Sequence, residues 1–288
     1  MWLIDSIADA IKGFLIDAIK ANLAGMFNDV NEKVVTISGE VGKTPAGWNS
    51  DIFNMIKNIS NTVIVPIAGM IITFVLVYEL VSMVMEKNNM QDVDTFNFFK
   101  YFMKAGIAVY IVSNTFTIVS AIFDVGQWVV TQSAGVISND THIDIAAVLA
   151  GMDEGLWAMG IGELMGLLME TTLLSMCMSI ITIFVTVIIF GRMIEIYMWL
   201  SLAPIPFATF TNREWGQIGN NYLRGLLALA FQGLLIMVCV GIYAVMVNTL
   251  TVTENIHGSI WMVAAYTVLL CFTLMKSGSL SKSLFNAH

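Results

Sequence analysis

Between Glu170 and Arg192 the chain runs from Thr171 to Gly191 without a charged residue. As a helix rising 1.5 Å per residue, that run is about 30 Å long, the thickness of a bilayer's hydrocarbon core. Four more such runs occur: Asn58 to Tyr78, Ala105 to Phe123, Gly225 to Thr253 and Gly258 to Met275. Five uncharged stretches of that length bound the fold at once, because a backbone in lipid must satisfy its own polar groups. Composition agrees with this reading. Charged residues make up 12% of the chain, against about 25% in soluble domains, and mean hydropathy is +0.80. The expected fold is all-α: a polytopic membrane bundle of five transmembrane helices, with an N-terminal amphipathic helix and interfacial helices in a central outer loop.

Residues 2 to 27 place Leu3, Ile7, Ile11, Phe14, Leu15, Ile19, Leu23, Met26 and Phe27 at spacings of three and four, interrupted by Asp5, Asp9, Lys12, Asp17 and Lys20. That period predicts an amphipathic helix rather than a span. Its acidic polar face suits anionic lipid poorly, since lipid adsorption favours Lys and Arg. Docking against the protein's own helices, or against a partner, is expected instead. Asp5 stands where a cleavable signal peptide would carry a basic residue, so the N-terminus is expected to be retained. Residues 28 to 57 are polar, with Gly39, Gly42, Pro45 and Gly47 as turn signals. The expected organisation is 1–57 as amphipathic helix and polar extracytoplasmic segment, 58–276 as the five-span domain with an outer loop at 124–170 and a cytoplasmic loop at 204–224, and 277–288 as a short cytoplasmic tail.

Loop charge orients the spans. The 86–104 loop carries Lys87, Lys100 and Lys104, the segment after the third span carries Arg213 and Arg224, and the tail carries Lys276 and Lys282. Residues 124 to 170 hold no Lys or Arg but seven acids, among them Asp124, Glu163 and Glu170. Basic and acid-only loops alternate, as the positive-inside rule requires. The N-terminus is therefore expected outside and the C-terminus in the cytoplasm.

Several residues stand out against this apolar background. Arg192 and Glu195 are three apart, on one helix face. Either Arg192 ends the third span and snorkels to headgroups, with Tyr197 and Trp199 in an interfacial belt, or one helix continues from about 171 to 203. The longer helix would measure roughly 50 Å and present Arg192 and Glu195 to a neighbour. Pro204 and Pro206 are expected to stop it and leave an irregular elbow, a gate, docking element or plain interfacial loop. Glu79, at the inner end of the first span, either faces a watery path or sits among headgroups. In the second span Ser113, Asn114, Thr117 and Ser120 form a polar stripe, read as interhelical glue with a pore lining as the alternative.

Catalytic and cofactor chemistry has little to draw on. Cys177, Cys239 and Cys271 all fall in expected spans and read as packing residues. His142, His257 and His288 show no metal spacing, and neither a hydrolytic triad nor a phosphate-binding Gly-rich loop occurs. No enzyme activity, cofactor or metal is expected, and with no basic cluster the chain is not expected to grip nucleic acid directly.

The string Gly191-Arg192-Met193-Ile194-Glu195, then Ala203-Pro204-Ile205-Pro206, Arg213 and Asn221-Tyr222-Leu223-Arg224-Gly225, resembles the TrbL-like polytopic subunits of conjugative type IV secretion systems, in the shorter form of Gram-positive mobile elements. So does the order of amphipathic helix, five spans, large outer loop and inner elbow. The resemblance implies a non-enzymatic channel subunit in the cell membrane that assembles in several copies with other secretion subunits, while separate ATPases supply energy. Nucleic acid would then enter at most as cargo. On that reading Arg192, Glu195, Pro204, Pro206, Arg213, Arg224 and Glu79 are interaction or gating candidates. A small-solute or ion transporter and a scaffold without a conduit stay open as alternatives. The transporter reading lacks the internal repeat that such folds often carry.

Overall fold

In a computed structural model of the chain, residues 2–85, 95–137, 144–212, 214–249 and 256–287 are described. Among them every regular element is helical: α1 Trp2–Val41, α2 Pro45–Trp48, α3 Ser50–Ile59, α4 Val65–Met85, α5 Thr95–Ser113, α6 Thr115–Ile137, α7 Ile145–Ala158, α8 Ile161–Leu202, α9 Pro204–Ala208, α10 Gly216–Asn248 and α11 Ile256–Leu284. Four continuous helical stretches are long and apolar enough to cross a membrane: Ser50–Met85, Ile161–Ala208, Gly216–Asn248 and Ile256–Leu284. The pair Phe98–Ser113 and Thr115–Val136 is apolar enough when taken together but is bent by 69°, as in a broken span or a re-entrant loop. The expected all-α polytopic bundle is what the chain forms.

Three elements differ from expectation. The second span is not straight, because it breaks at Asn114. The Asn114 side chain donates to the Tyr110 carbonyl (2.9 Å) and the Thr115 hydroxyl to those of Ile111 (2.8 Å) and Val112 (3.0 Å). Side chains that bond to their own turn compete with the helical ladder and bend it. The first span is preceded by helix, not by a turn: α3 continues through a π-helical turn at Ser60–Ile64 into α4. Pro66 has no N–H and its ring crowds the carbonyl four residues back. There the ladder widens, the Val65 N–H bonding to the Ser60 carbonyl. Lastly, α1 runs on to Val41, well into the segment expected to be polar and turn-rich.

Local caps account for the other starts. Thr44 caps α2, with Pro45 at its first position, and Asn49 accepts from the N–H groups of Asp51 and Ile52 to begin α3. Asp144 accepts from Ala147 to start α7. Glu163 reaches back to the Gly160 N–H (2.8 Å) at the head of α8, the carboxylate half of a capping box.

The chain divides into two compact units: Met1–Val41, Val130–Phe190 and Leu234–Ser277 form the first, and Gly42–Val129, Gly191–Gly233 and Gly278–His288 the second. The first is built on the apolar face of α1. Ile16, Ile19, Leu23, Met26, Val30, Val34, Ile37 and Val41 recur every three or four residues and are buried with Met152 and Leu156 of α7, Leu164 and Leu174 of α8, and Ile260 of α11. The sequence period thus translates into docking on the protein's own helices. Lys20 pairs with Asp153 of α7, and Tyr243 and Thr267 share a buried hydrogen bond of 2.9 Å. At the head of α11 the carboxylate of Glu170 pairs with His257 and accepts from the Trp261 indole. His142 lies outside the described residues. In the second unit Ile72 of α4, Val112 of α5, Phe116 and Val119 of α6, Leu200 of α8 and Leu226 of α10 form the core.

Candidate functional site

Arg192 lies where α8 enters the core of the second unit, flanked by buried Met193, Ile196 and Tyr197. It is 7% exposed, so it is not the snorkelling cation of the shorter-span reading. Its guanidinium donates to the Leu229 carbonyl of α10 at 3.5 Å, while Nε has no partner. Glu195 turns to a different cation, Lys282 of α11, at 3.2 Å. The two residues that sequence placed on one face therefore brace α8 separately, one to α10 and one to α11.

The aromatic residues after them pack instead of forming a belt. The Tyr197 hydroxyl is buried and donates to the carbonyls of Pro45 (2.7 Å) and Asn49 (3.3 Å). Trp199 stacks on Tyr222 with ring centroids 4.8 Å apart, and the Tyr222 hydroxyl donates to the Trp199 carbonyl. Gly225 permits this contact, since a Cβ there would collide with the Trp199 ring.

α8 ends at Leu202, just before Pro204 and Pro206, but the backbone they open is helical through Ala208 before it turns at 209–212. Ala203 keeps helical dihedrals (φ −50°, ψ −40°), and Pro204 occupies the first position of α9, where a missing N–H costs nothing. The Phe207 N–H returns to the Ala203 carbonyl, and those of Thr209 and Phe210 to the Pro206 and Phe207 carbonyls. Asn212 then caps the chain's turn, accepting from Glu214 (2.7 Å) and Trp215 (2.9 Å). Trp215 stacks on Phe74 and Tyr78 of α4, at 5.7 and 5.8 Å, while the Tyr78 hydroxyl donates to Glu214. The elbow is thus a clasped helical corner.

Glu79 pairs with Lys104, linking α4 to α5, and the Tyr101 hydroxyl donates to the Leu76 carbonyl (2.8 Å) one turn away. Close by, Lys104 and Thr211 line a pocket of about 310 Å³ with Ile107, Ile111, Phe207 and Phe210. Arg224 is exposed on α10, and Arg213 lies outside the described residues. Arg192, Glu195, Pro204 and Pro206 therefore follow one another along α8 and α9 in the second unit, each with its own packing partners, whereas Arg224 is exposed on α10. Among the described residues no three His, Cys, Asp or Glu side chains gather as a metal site, and all three cysteines are free.

The family model described as TrbL/VirB6 plasmid conjugal transfer like protein matches residues 30–204. The chain belongs to that family. The TrbL/VirB6 match takes in Glu79, Arg192, Glu195 and Pro204 and ends before Pro206, Arg213 and Arg224. No curated protein and no solved structure matches the chain. A TrbL/VirB6 member with several bilayer-length helices is a multi-pass membrane protein of the conjugal-transfer type.

Two contributors escaped the sequence reading. The Ser281 hydroxyl, near the end of α11, is buried against the Ala228 carbonyl of α10. Lys33 of α1, deep in the first unit, is 5% exposed with no acceptor for its Nζ. A serine in a tail carries no signal in sequence. Lys33 did carry one, as a lone base on the apolar period Val30, Val34, Ile37.

Proposed function

We propose that this chain is a non-enzymatic structural subunit of the membrane conduit of a conjugative type IV secretion apparatus. The family match over residues 30–204 carries the reading. In it several copies associate with one another and with further membrane subunits, separate secretion ATPases supply the energy, and nucleic acid is cargo. The N-terminus lies outside and the C-terminus in the cytoplasm, an orientation supported by the alternation of basic and acid-only loops. The corner built on Arg192, Glu195 and the α9 prolines then faces the cytoplasmic machinery as a docking surface, with Arg224 and Glu79 at its margins and Arg213 a further candidate by sequence alone. Its clasped hydrogen bonds favour a rigid platform over a gate.

In-frame deletion followed by complementation tests the role. Conjugative transfer should vanish on deletion and return with the wild-type chain, and a deletion strain that transfers normally would remove the proposal. Orientation is tested separately with a reporter joined after His288, which should be active only in the cytoplasm.

A further inference from the structure

We propose that α1 crosses the membrane beside α8, and that its outward face is wetted by water within the bilayer and attracts cations. Every observation involved lies in the first unit. Asn22 of α1 donates to the hydroxyls of Thr171 (3.2 Å) and Thr172 (3.0 Å), where the uncharged run of α8 begins. Near its other end Lys33, Thr36 and Glu40 share a pocket of about 250 Å³ with Thr182, Thr186 and Phe190. The two helices therefore run parallel in one register, residue 22 beside 171 and residue 40 beside 190. That part of α8 is the stretch whose length and lack of charge suit the hydrocarbon core. Residues 22 to 41 of α1 occupy the same depth.

At that depth the two helices turn different surfaces outward. α8 exposes Leu173, Met176, Ile180, Ile183 and Val187, which suit acyl chains. α1 exposes Gly25, Asn28, Glu32, Val35, Thr36 and Gly39, with Val35 its one large apolar member. Alkyl chains offer a carboxylate or an amide no hydrogen bond, so this surface does not face lipid. Lys33 adds an independent sign. Its buried ammonium opens onto the pocket with no acceptor from the chain, and a pocket of that size that also holds Asp29, Glu32, Glu40 and three threonines among its apolar walls gives water the polar partners it needs. Asp29, Glu32 and Glu40 around the single base Lys33 leave the surface net acidic. Two copies apposed through it would repel, whereas water and cations are accommodated.

Parallel α1 and α8 leave room for one crossing between them. On this inference α4 is that crossing and the bent α5–α6 pair a re-entrant loop, in place of the five spans read from loop charge. The inference rests on α8 crossing the bilayer and not on the chain's part in transfer, so the test does not use a mating assay. In the full chain, with its three cysteines replaced by alanine, N28C and T36C report on the α1 face and I183C and V187C on the α8 face. Each is exposed in native host membranes to membrane-impermeant methanethiosulfonates, one cationic and one anionic. Positions 28 and 36 should be modified, the cationic reagent reacting about tenfold faster at low salt and the ratio shrinking as salt screens the acids. Positions 183 and 187 should stay unmodified. Protection of 28 and 36 from both reagents would overturn the proposal, because lipid or protein then covers the face. Equal rates for the two reagents would overturn its cation preference, and labelling of 187 as fast as 36 would overturn the distinction between the faces.

Discussion

Replacing Arg192 by methionine separates what the residue does for stability from what it does for function. The chain gives the guanidinium one acceptor, the Leu229 carbonyl at 3.5 Å, and leaves Nε unpartnered at 7% exposure. A hydrogen bond from a charged donor contributes about 1.5–3 kcal/mol when well made, and 3.5 Å is the outer limit of such a bond. Against it stands the desolvation of a cation, several kcal/mol even after relaxation. The cost exceeds the gain, so Arg192 is held at the expense of stability. Methionine retains most of the volume, and Leu229 keeps its own place in the α10 ladder. R192M should therefore melt in detergent at or above the wild-type temperature, a change of roughly 0 to +2 kcal/mol. R192A, which leaves a hole beside Met193 and Ile196, should lose about 2–4 kcal/mol. Thermal unfolding of purified protein and a mating assay are read together. The expected outcome is a stable R192M chain that inserts but does not support transfer. Wild-type transfer by R192M would show that the cation has no task. An R192M chain that melts as low as R192A would show that the charge is structural, and either result refutes the reasoning.

Three further outcomes follow from the packing. A Cβ at Gly126 would lie 2.7 Å from the Ala230 carbonyl oxygen, whereas one at Gly106 meets nothing within 4 Å; G126A should lose about 1–3 kcal/mol by overpacking while G106A is tolerated, as read from detergent melting curves. Y197F removes the buried bonds to the Pro45 and Asn49 carbonyls and should cost about 1–2 kcal/mol, seen as a melting temperature lower by roughly 3–6 °C. The Glu195–Lys282 pair is part-exposed on both sides, so a double-mutant cycle with E195Q and K282M should give a coupling of only about 0.2–1 kcal/mol; loss of transfer by E195Q would then report a partner rather than instability.

The bundle was legible in the sequence because hydrocarbon thickness sets a length that uncharged runs either meet or miss. Thr171 to Gly191 met it, and α8 contains it. The same rule misplaces an end when a charge is buried rather than solvated. Arg192 reads either as the edge of a span or as a residue within one helix running to about 203, and the longer reading holds: α8 continues to Leu202 because a carbonyl inside the fold receives the guanidinium. Prolines mislead in a related way. Pro204 and Pro206 do end α8 at Leu202, but a proline at a first helical position has no hydrogen bond to lose, so helix resumes at once in α9 where irregular backbone was expected. Asn114 shows the reverse case, in which a polar residue expected to reach across the bundle bonds to its own turn and bends the helix.

What one sequence withholds is the counterpart each polar group finds. Glu195 has Arg192 three residues away and pairs with Lys282, 87 residues on. Asn22 finds Thr171 at a separation of 149. Such choices depend on which apolar faces dock first, and many helix pairings bury similar faces equally well. Ionisable groups kept at that depth are therefore the most informative part of this chain. Apolar packing holds the bundle, and Arg192 and Lys33 are each buried with too few acceptors to improve it. On the two proposals above, the missing counterparts lie outside the chain: secretion subunits docked on the Arg192 corner, and water at Lys33.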